Sequence, residues 1–284
     1  MYNLITIKIL LIILIIVYII YNNNNKYEFY HLNIIIPIRD REQHLRKIIP
    51  RLIEIFKYQN IKYTIFLIEQ SHGKSFNRAK LCNIGFLEAI KYNNVDNFLI
   101  NDVDIYPFSN NTYNYRIYKN ISHLYGYKLS LGGSLFIKKN TYIKINGFSN
   151  EYYGWGYEDE DIQYRVKRKG YRIDRSQFIQ APSKLVEDLP DELYPSNKII
   201  SNAIYQCKDC QEKFDNKILY EKHLLKCKKK FHKKTRIVFK KKTKLYDDDI
   251  SNIYKDGINT CNYKIISKYY YENNKNIIRI LVDF

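Results

Sequence analysis

Apolar residues follow three rhythms along this chain. Leu4 to Tyr21 (LITIKILLIILIIVYIIY) is apolar with no polar face and carries one charge, Lys8. A helix crossing a bilayer needs roughly 17–25 such residues, and Lys8 lies near enough to one end to reach the headgroups. No small-residue cleavage site follows, which predicts an uncleaved signal-anchor over residues 1–21 and a polar stem over 22–31. Beyond the stem the rhythm changes. Leu32 to Ile36 (LNIII), Tyr63 to Ile68 (YTIFLI) and Phe98 to Ile100 are short β-branched and aromatic runs, the signature of buried strands. Between them, Arg41 to Tyr58 repeats apolar positions at helical spacing through Leu45, Ile48, Ile49, Leu52, Ile53 and Phe56. Asn77 to Tyr92 does the same through Ala79, Leu81, Cys82, Phe86 and Ile90. Strands alternating with helices predict a parallel α/β sheet, in which ligands gather at the carboxyl ends of the strands. Pro37 to Arg41, Glu69 to His72 and Asp102 to Asp104 fall at those ends.

Composition changes this picture little. The chain has 284 residues, 45% hydrophobic and 27% charged, which excludes wholesale disorder. The net charge of +18 would suit phosphate-bearing partners. Lys, Asn and Ile are abundant throughout, however, and a general compositional bias explains most of that charge. Only Lys226 to Lys244 (KCKKKFHKKTRIVFKKKTK) is a concentrated basic run. Five cysteines, unevenly spaced, do not form a disulfide framework.

Three groups of residues carry chemistry. Asp102 and Asp104 end a predicted strand, where two carboxylates can hold a divalent cation against a diphosphate. Gly154 to Asp161 (GWGYEDED) places four consecutive carboxylates after a Trp flanked by glycines. Mutual repulsion among those carboxylates predicts a raised pKa and a general base, and the Trp face suits a sugar ring. The same carboxylates would complement the N-terminus of a helix from Ile162 to Lys169. Arg39, Arg41 and Arg78 lie near strand ends and present forks that match phosphate oxygens.

The segments Ile34 to Leu45 (IIIPIRDREQHL), Phe76 to Leu81 (FNRAKL), Asp102 to Asp104, Leu131 to Ser134 (LGGS), Ile145 to Phe148 (INGF) and Gly154 to Asp161 stand in the order, and at similar spacings, of the β-1,4-galactosyltransferase family. The chain resembles that family over about residues 32–180. The resemblance implies a GT-A (Rossmann-like) nucleotide-sugar-binding domain, assigned to residues 32–200. It further implies a donor of UDP-galactose or UDP-N-acetylgalactosamine, a glycan acceptor, Mn²⁺ (or Mg²⁺), and inversion at the anomeric carbon. By the family pattern Pro37, Arg39, Arg41, Phe76 and Arg78 contact the uridine diphosphate, with Asp102 beside the nucleotide and Asp104 on the metal. Trp155, next to Gly156, lines the sugar site and closes over the donor. Glu158 and Asp159 meet the acceptor, with Asp159 as the base. The family's downstream Met and His ligands are missing, and ungapped counting puts Leu185 and Asp188 at their places, with Glu187 an equal candidate. Ser130 stands where the vertebrate enzymes carry an aromatic residue, which predicts room for an N-acetyl group.

Farther on, Cys207, Cys210, His223 and Cys227 have the spacing C-x₂-C-x₁₂-H-x₃-C, with Phe214 and Leu219 as a small core. This resembles a C2H2-type finger with a Cys₂HisCys set, and predicts a structural Zn²⁺ module at 205–232. Residues 233–284 are a basic, Tyr-rich segment; residues 245–284 are expected to pack on the preceding domain or to form a strand at Ile277 to Val282, and have no functional reading. The anchor implies a single-pass type II membrane protein, with a Golgi-like lumen favoured over the cytosol. The alternative is a membrane-tethered nucleic-acid- or protein-binding finger protein with a non-catalytic sugar-binding domain. It is weaker, because one finger contacts only about 3 base pairs.

Overall fold

The computed structural model of the chain describes residues 12–15, 30–116, 119–154, 157–189, 203–206, 213–214, 236–239 and 255–284. Its centre is an eight-stranded sheet. The first three strands are β1 (His31–Ile38), β2 (Lys62–Gln70) and β3 (Asn97–Asn101), with α1 (Glu42–Tyr58) and α2 (Arg78–Tyr92) as the crossovers between them. β1 pairs parallel with both β2 and β3, as the alternation of strand and helix predicts. The run LNIII is apolar at nearly every position because both faces of the sheet are covered. Ile34 and Ile36 point to the layer of α1, where they meet Leu45, Ile48, Leu52 and Phe56. Ile35 points the other way, among Ala79, Leu81, Phe86 and Phe98.

The chain then runs through β4 (Ile105–Pro107), β5 (Ile121–Gly126), β6 (Ser134–Lys138), α3 (Lys139–Lys144), α4 (Glu158–Arg168), β7 (Ile179–Gln180) and β8 (Val186–Asp188). The sheet is mixed, not wholly parallel: β6 is antiparallel to both β3 and β5. No helix separates β5 from β6, so the chain returns directly and the pair must be antiparallel. The helix expected from Ile162 begins four residues earlier, because the acidic quartet forms its first turn.

The C-terminal segment supplies the expected strand, and the departure there lies only in the domain boundary drawn at residue 200. After β9 (Ala203–Gln206), β10 (Lys213–Phe214) and β11 (Arg236–Phe239), which form a separate three-stranded sheet, come β12 (Lys264–Tyr270) and β13 (Ile277–Asp283). β13 lies parallel to β2, and the sheet order is β12-β13-β2-β1-β3-β6-β5-β7. The main sheet therefore extends past residue 200 and takes in residues 264–283. Ile278, Ile280 and Val282 enter the same core layer as α2. Cys207, Cys210, His223 and Cys227 lie outside the described residues, as does most of the apolar N-terminal segment. Among the described residues, no helix is long and apolar enough to cross a membrane.

If β13 is integral to the domain, Ile280→Ala should cost about 2–5 kcal/mol, as any fully buried aliphatic truncation does. Chemical denaturation checks this. A cost below about 1 kcal/mol would mean that the strand is a dispensable appendage.

Candidate active site

The carboxyl ends of β1, β2 and β3 meet at one edge of the sheet, which brings residues 39–41, 71–77 and 102–104 together. Arg78 is the first residue of α2, whose cap Asn77 accepts a hydrogen bond from the Lys80 amide at 2.8 Å. From there the Arg78 Nε donates to Asp102 Oδ1 at 2.6 Å and its Nη1 donates to Asp159 Oδ1 at 2.8 Å. Burial opposes the charge on Arg78, but the two carboxylates outweigh it and hold the pKa well above the ordinary value. Asp102 is fixed further: its amide donates to Gly133 O at 3.0 Å and its Oδ2 accepts from the Gly133 amide at 3.2 Å.

The acidic quartet divides into different environments. Tyr157 takes a left-handed conformation (φ 75°) and turns the chain into α4. Asp161 is buried against Arg165 at 2.7 Å, and Glu160 faces solvent. Glu158 and Asp159 remain at the site. Burial, with the Asp159 charge second, raises Glu158 to about 8. Burial also raises Asp159, against the pull of Arg78. Desolvation is thus the main cause, and the mutual repulsion expected from the sequence is secondary. Gly132 fits against this group: a Cβ there would lie 2.2 Å from Asp159 Oδ2. The neighbouring Leu131 amide donates to Asp159 O at 3.0 Å.

Asp104 lies on the other side of Asp102. Burial, then the charge of Asp102, raises its carboxyl to about 7, and Asp188 adds to the effect. β4 pairs antiparallel with β8, which sets Asp188 opposite Ile105, and the Leu189 amide donates to Asp104 O at 2.8 Å. The Tyr125 hydroxyl donates to Asp188 Oδ2 at 3.0 Å. Of the two candidates it is Asp188, not Glu187, whose charge is felt at Asp104. Leu185 is exposed and takes part through its carbonyl, which accepts from the Phe108 amide. The charge of Arg41 offsets the burial of Asp104 only in part, and Arg78 is already shared by Asp102 and Asp159. Two under-compensated carboxylates, all oxygen donors, fit a hard divalent ion such as Mn²⁺ or Mg²⁺. Among the described residues no group of three or more His, Cys, Asp and Glu could hold a metal by itself. The donor set therefore suits an ion whose coordination is completed by a bound ligand.

The residues expected to contact the nucleotide are placed as follows. Pro37 lies in β1 opposite Ile68. Arg39 donates to Lys74 O at 2.7 Å and lies over the Phe76 ring at 5.2 Å. Arg41 precedes α1 and adds a favourable charge at Asp104. Ser130 ends a turn, its amide donating to Tyr127 O at 3.1 Å, directly before Leu131 and Gly132. Trp155 and Gly156 lie outside the described residues. Sequence reasoning missed Tyr125, which steadies Asp188, and Gln163 and Arg175, which hold the turn before Gly132 through the carbonyls of Leu129 and Lys128. The Gly-Gly pair was the one visible signal; partners of buried side chains leave none.

The chain matches the family described as the N-terminal region of glycosyl transferase group 7 over residues 19–117, and the N-terminal domain of galactosyltransferase over residues 115–187. It is 40% identical to human beta-1,4-galactosyltransferase 4 over 153 residues, covering 50% of this chain and 44% of that protein. It is 34% identical to mouse beta-1,4-galactosyltransferase 1 over 200 residues, covering 66% of this chain and 50% of that protein. The chain thus spans about half the length of the curated relatives it matches. Its fold is similar to Drosophila beta-1,4-galactosyltransferase 7, solved as a mutant with manganese, UDP-Gal and xylobiose. That likeness has a TM-score of 0.61 at 21% identity and covers 90% of this chain and 94% of the other. The architecture is a GT-A-like α/β glycosyltransferase fold.

The raised Asp104 pKa has a stability consequence. The folded chain holds that proton more tightly than the unfolded chain does. Ionisation therefore weakens the fold as pH rises from 3.8 through about 7. Asn carries no such penalty. In chelator at pH 8, Asp104→Asn should melt a few degrees above wild type, with the gap closing near pH 4. Circular-dichroism melts at both pH values check it; a gap independent of pH would refute the assignment.

Proposed function

Residues 19–187 belong to the glycosyl transferase group 7 family, and on that premise we propose that the protein is an inverting, metal-dependent glycosyltransferase. It moves galactose or N-acetylgalactosamine from a UDP-sugar to a hydroxyl of a glycan acceptor. The observation that carries this reading is the Arg78 bridge. One guanidinium joins a carboxylate at the end of a nucleotide-binding strand to a carboxylate at the start of an acidic helix. Donor-side and acceptor-side groups are thereby held within one side chain of each other.

In this reading Arg39, Arg41 and Phe76 receive the uridine diphosphate, Pro37 backs it, and Asp102 lies beside it. Asp104 and Asp188 would hold Mn²⁺ or Mg²⁺, which neutralises charge on the diphosphate when bound. Trp155 and Gly156 supply the face for the sugar ring. The acceptor oxygen attacks the anomeric carbon, and the bond from that carbon to the diphosphate oxygen breaks. The electron pair leaves with UDP, and the hydroxyl proton passes to Asp159. Burial raises both neighbouring carboxyls and the Arg78 charge opposes it at both, but Arg78 hydrogen-bonds Asp159, which favours Asp159 as the ionised partner. Glu158 keeps its proton at neutral pH and donates to an acceptor oxygen, while Asp159 is the base.

The finer assignments follow the same reading. Ser130 leaves space beside the donor's 2-position, so UDP-N-acetylgalactosamine should serve at least as well as UDP-galactose. The apolar segment over residues 1–21 supports a type II membrane anchor with the domain in a Golgi-like lumen. The Cys₂HisCys spacing at 205–232 supports a structural Zn²⁺ site.

The test is transfer by the detergent-solubilised chain, with three UDP-sugars and simple sugar acceptors, in Mn²⁺ or in chelator. Transfer should require the metal and fall at least about 10²-fold in Asp104→Ala and in Asp159→Asn. Glu158→Gln should retain most activity at pH 7, since it replaces a group that is already neutral there. No turnover by folded protein with any donor would refute the transferase, and a strong preference for UDP-galactose would refute the role of Ser130.

A further inference from the structure

Residues 149–165 carry the acidic motif, and their fixation is not local. Ser149 and Asn150 lead into it and are both buried. The Asp256 carboxylate receives them: Oδ2 accepts from the Ser149 hydroxyl, and Oδ1 accepts from the Asn150 amide at 3.0 Å and from Asn150 Nδ2 at 3.1 Å. The far side of the motif is held by the same residue. Arg165 of α4, paired with Asp161, donates from Nη1 to the Asp256 carbonyl at 2.7 Å. Asp256 therefore grips the chain just before residues 151–157 and the helix just after them, from 106 residues away in sequence at Asn150.

Neighbouring contacts extend the grip. Asn150 Nδ2 also donates to Gly257 O at 2.7 Å, and the Ile258 amide donates to Asn146 O at 3.0 Å. On its other side Asn150 joins α2: Asn77 donates to Asn150 O at 2.7 Å and Asn83 donates to Asn150 Oδ1 at 2.9 Å. Gly154 is in turn tied to the donor side, its amide donating to Phe76 O at 2.8 Å. Between these ties lies Trp155, the single tryptophan of the chain.

We propose that Asp256 is a positioning residue for the site. By bracketing residues 151–157 it sets the register of Asp159 against Arg78. The catalytic half of this statement rests on the transferase reading; the bracketing does not. A pure stability role would lower the melting temperature without changing the folded site. A positioning role shows in the folded protein, because a misplaced group costs rate even when it is distant from the chemistry.

The test exploits the lone tryptophan. In the full chain, Asp256→Ala should raise acrylamide quenching of Trp155 about twofold and lower kcat about tenfold, with donor KM changed by less than about threefold. Asp256→Asn keeps one oxygen for the Asn150 amide and should recover most of both. Should the alanine variant fail to fold by circular dichroism, Ser149→Ala, which removes one donor to Asp256, should show the same changes in smaller measure. Unchanged quenching and unchanged kcat in folded variants would overturn the proposal. Raised quenching in a protein whose wild type transfers no sugar would uphold the bracketing and remove the transferase reading instead.

Discussion

The site depends on a single buried cation. Arg78 is 12% exposed, and it touches Asp102 and Asp159 with two different nitrogens. Those carboxylates come from separate elements, and the one guanidinium reaches both. Without the guanidinium, two partly buried anions would face each other across a short gap, and a carboxylate left unpaired in a protein interior costs about 3–5 kcal/mol. The pairing therefore does more than join charges. It fixes the start of α2, the end of β3 and the first turn of α4 in one arrangement, and it favours the ionised form of Asp159 against burial.

The remaining carboxyls show what the arrangement leaves unresolved. At Asp104 burial and the neighbouring carboxylates outweigh the charge of Arg41, and burial lifts both Asp104 and Asp188 above their ordinary values. Such strain is expected where a fold stores binding capacity rather than stability. It also separates the two halves of the site. Around Asp159 the protein supplies a hydrogen-bonded counter-charge, while at Asp104 the charge of Arg41 does not offset burial. The glycines confirm the division of space: Gly132 lacks a side chain where Asp159 needs room, and Gly133 (φ 77°) turns the chain so that its amide can reach Asp102.

Much of this was readable before any coordinates. Three strands, two crossover helices and the placing of Pro37 to Arg41, Glu69 to His72 and Asp102 to Asp104 at the strand ends follow from hydrophobic rhythm and the geometry of α/β sheets. Other features were not readable, for physical reasons. Ile277 to Val282 is visibly a strand, but its partner β2 lies some two hundred residues away, and local pattern carries no information about such pairing. The acidic quartet suggested mutual repulsion because sequence displays charge spacing and hides burial, which turned out to matter more. Tyr125 and Asp256 carry no motif at all; they are defined by what they touch in the fold.

One sequence signal was stronger than its first use suggested. In a chain where lysine is the common cation, arginine marks the positions at which one side chain must satisfy several acceptors. Arg78 serves two carboxylates. Arg51 serves the carbonyls of Pro107 and Phe108 and the amide oxygen of Asn110. Arg165 serves Asp161 and the Asp256 carbonyl, and Arg279 serves Glu42 and both oxygens of Glu69. An ammonium is a compact point charge on a flexible stem and cannot span such acceptors, whereas the planar fork does so with little further loss of freedom. These four arginines are nodes of the structure. Two of those nodes, Arg78 and Arg165, hold the acidic motif from opposite sides, and Arg279 ties the last strand to the first turn of α1 beside Arg41.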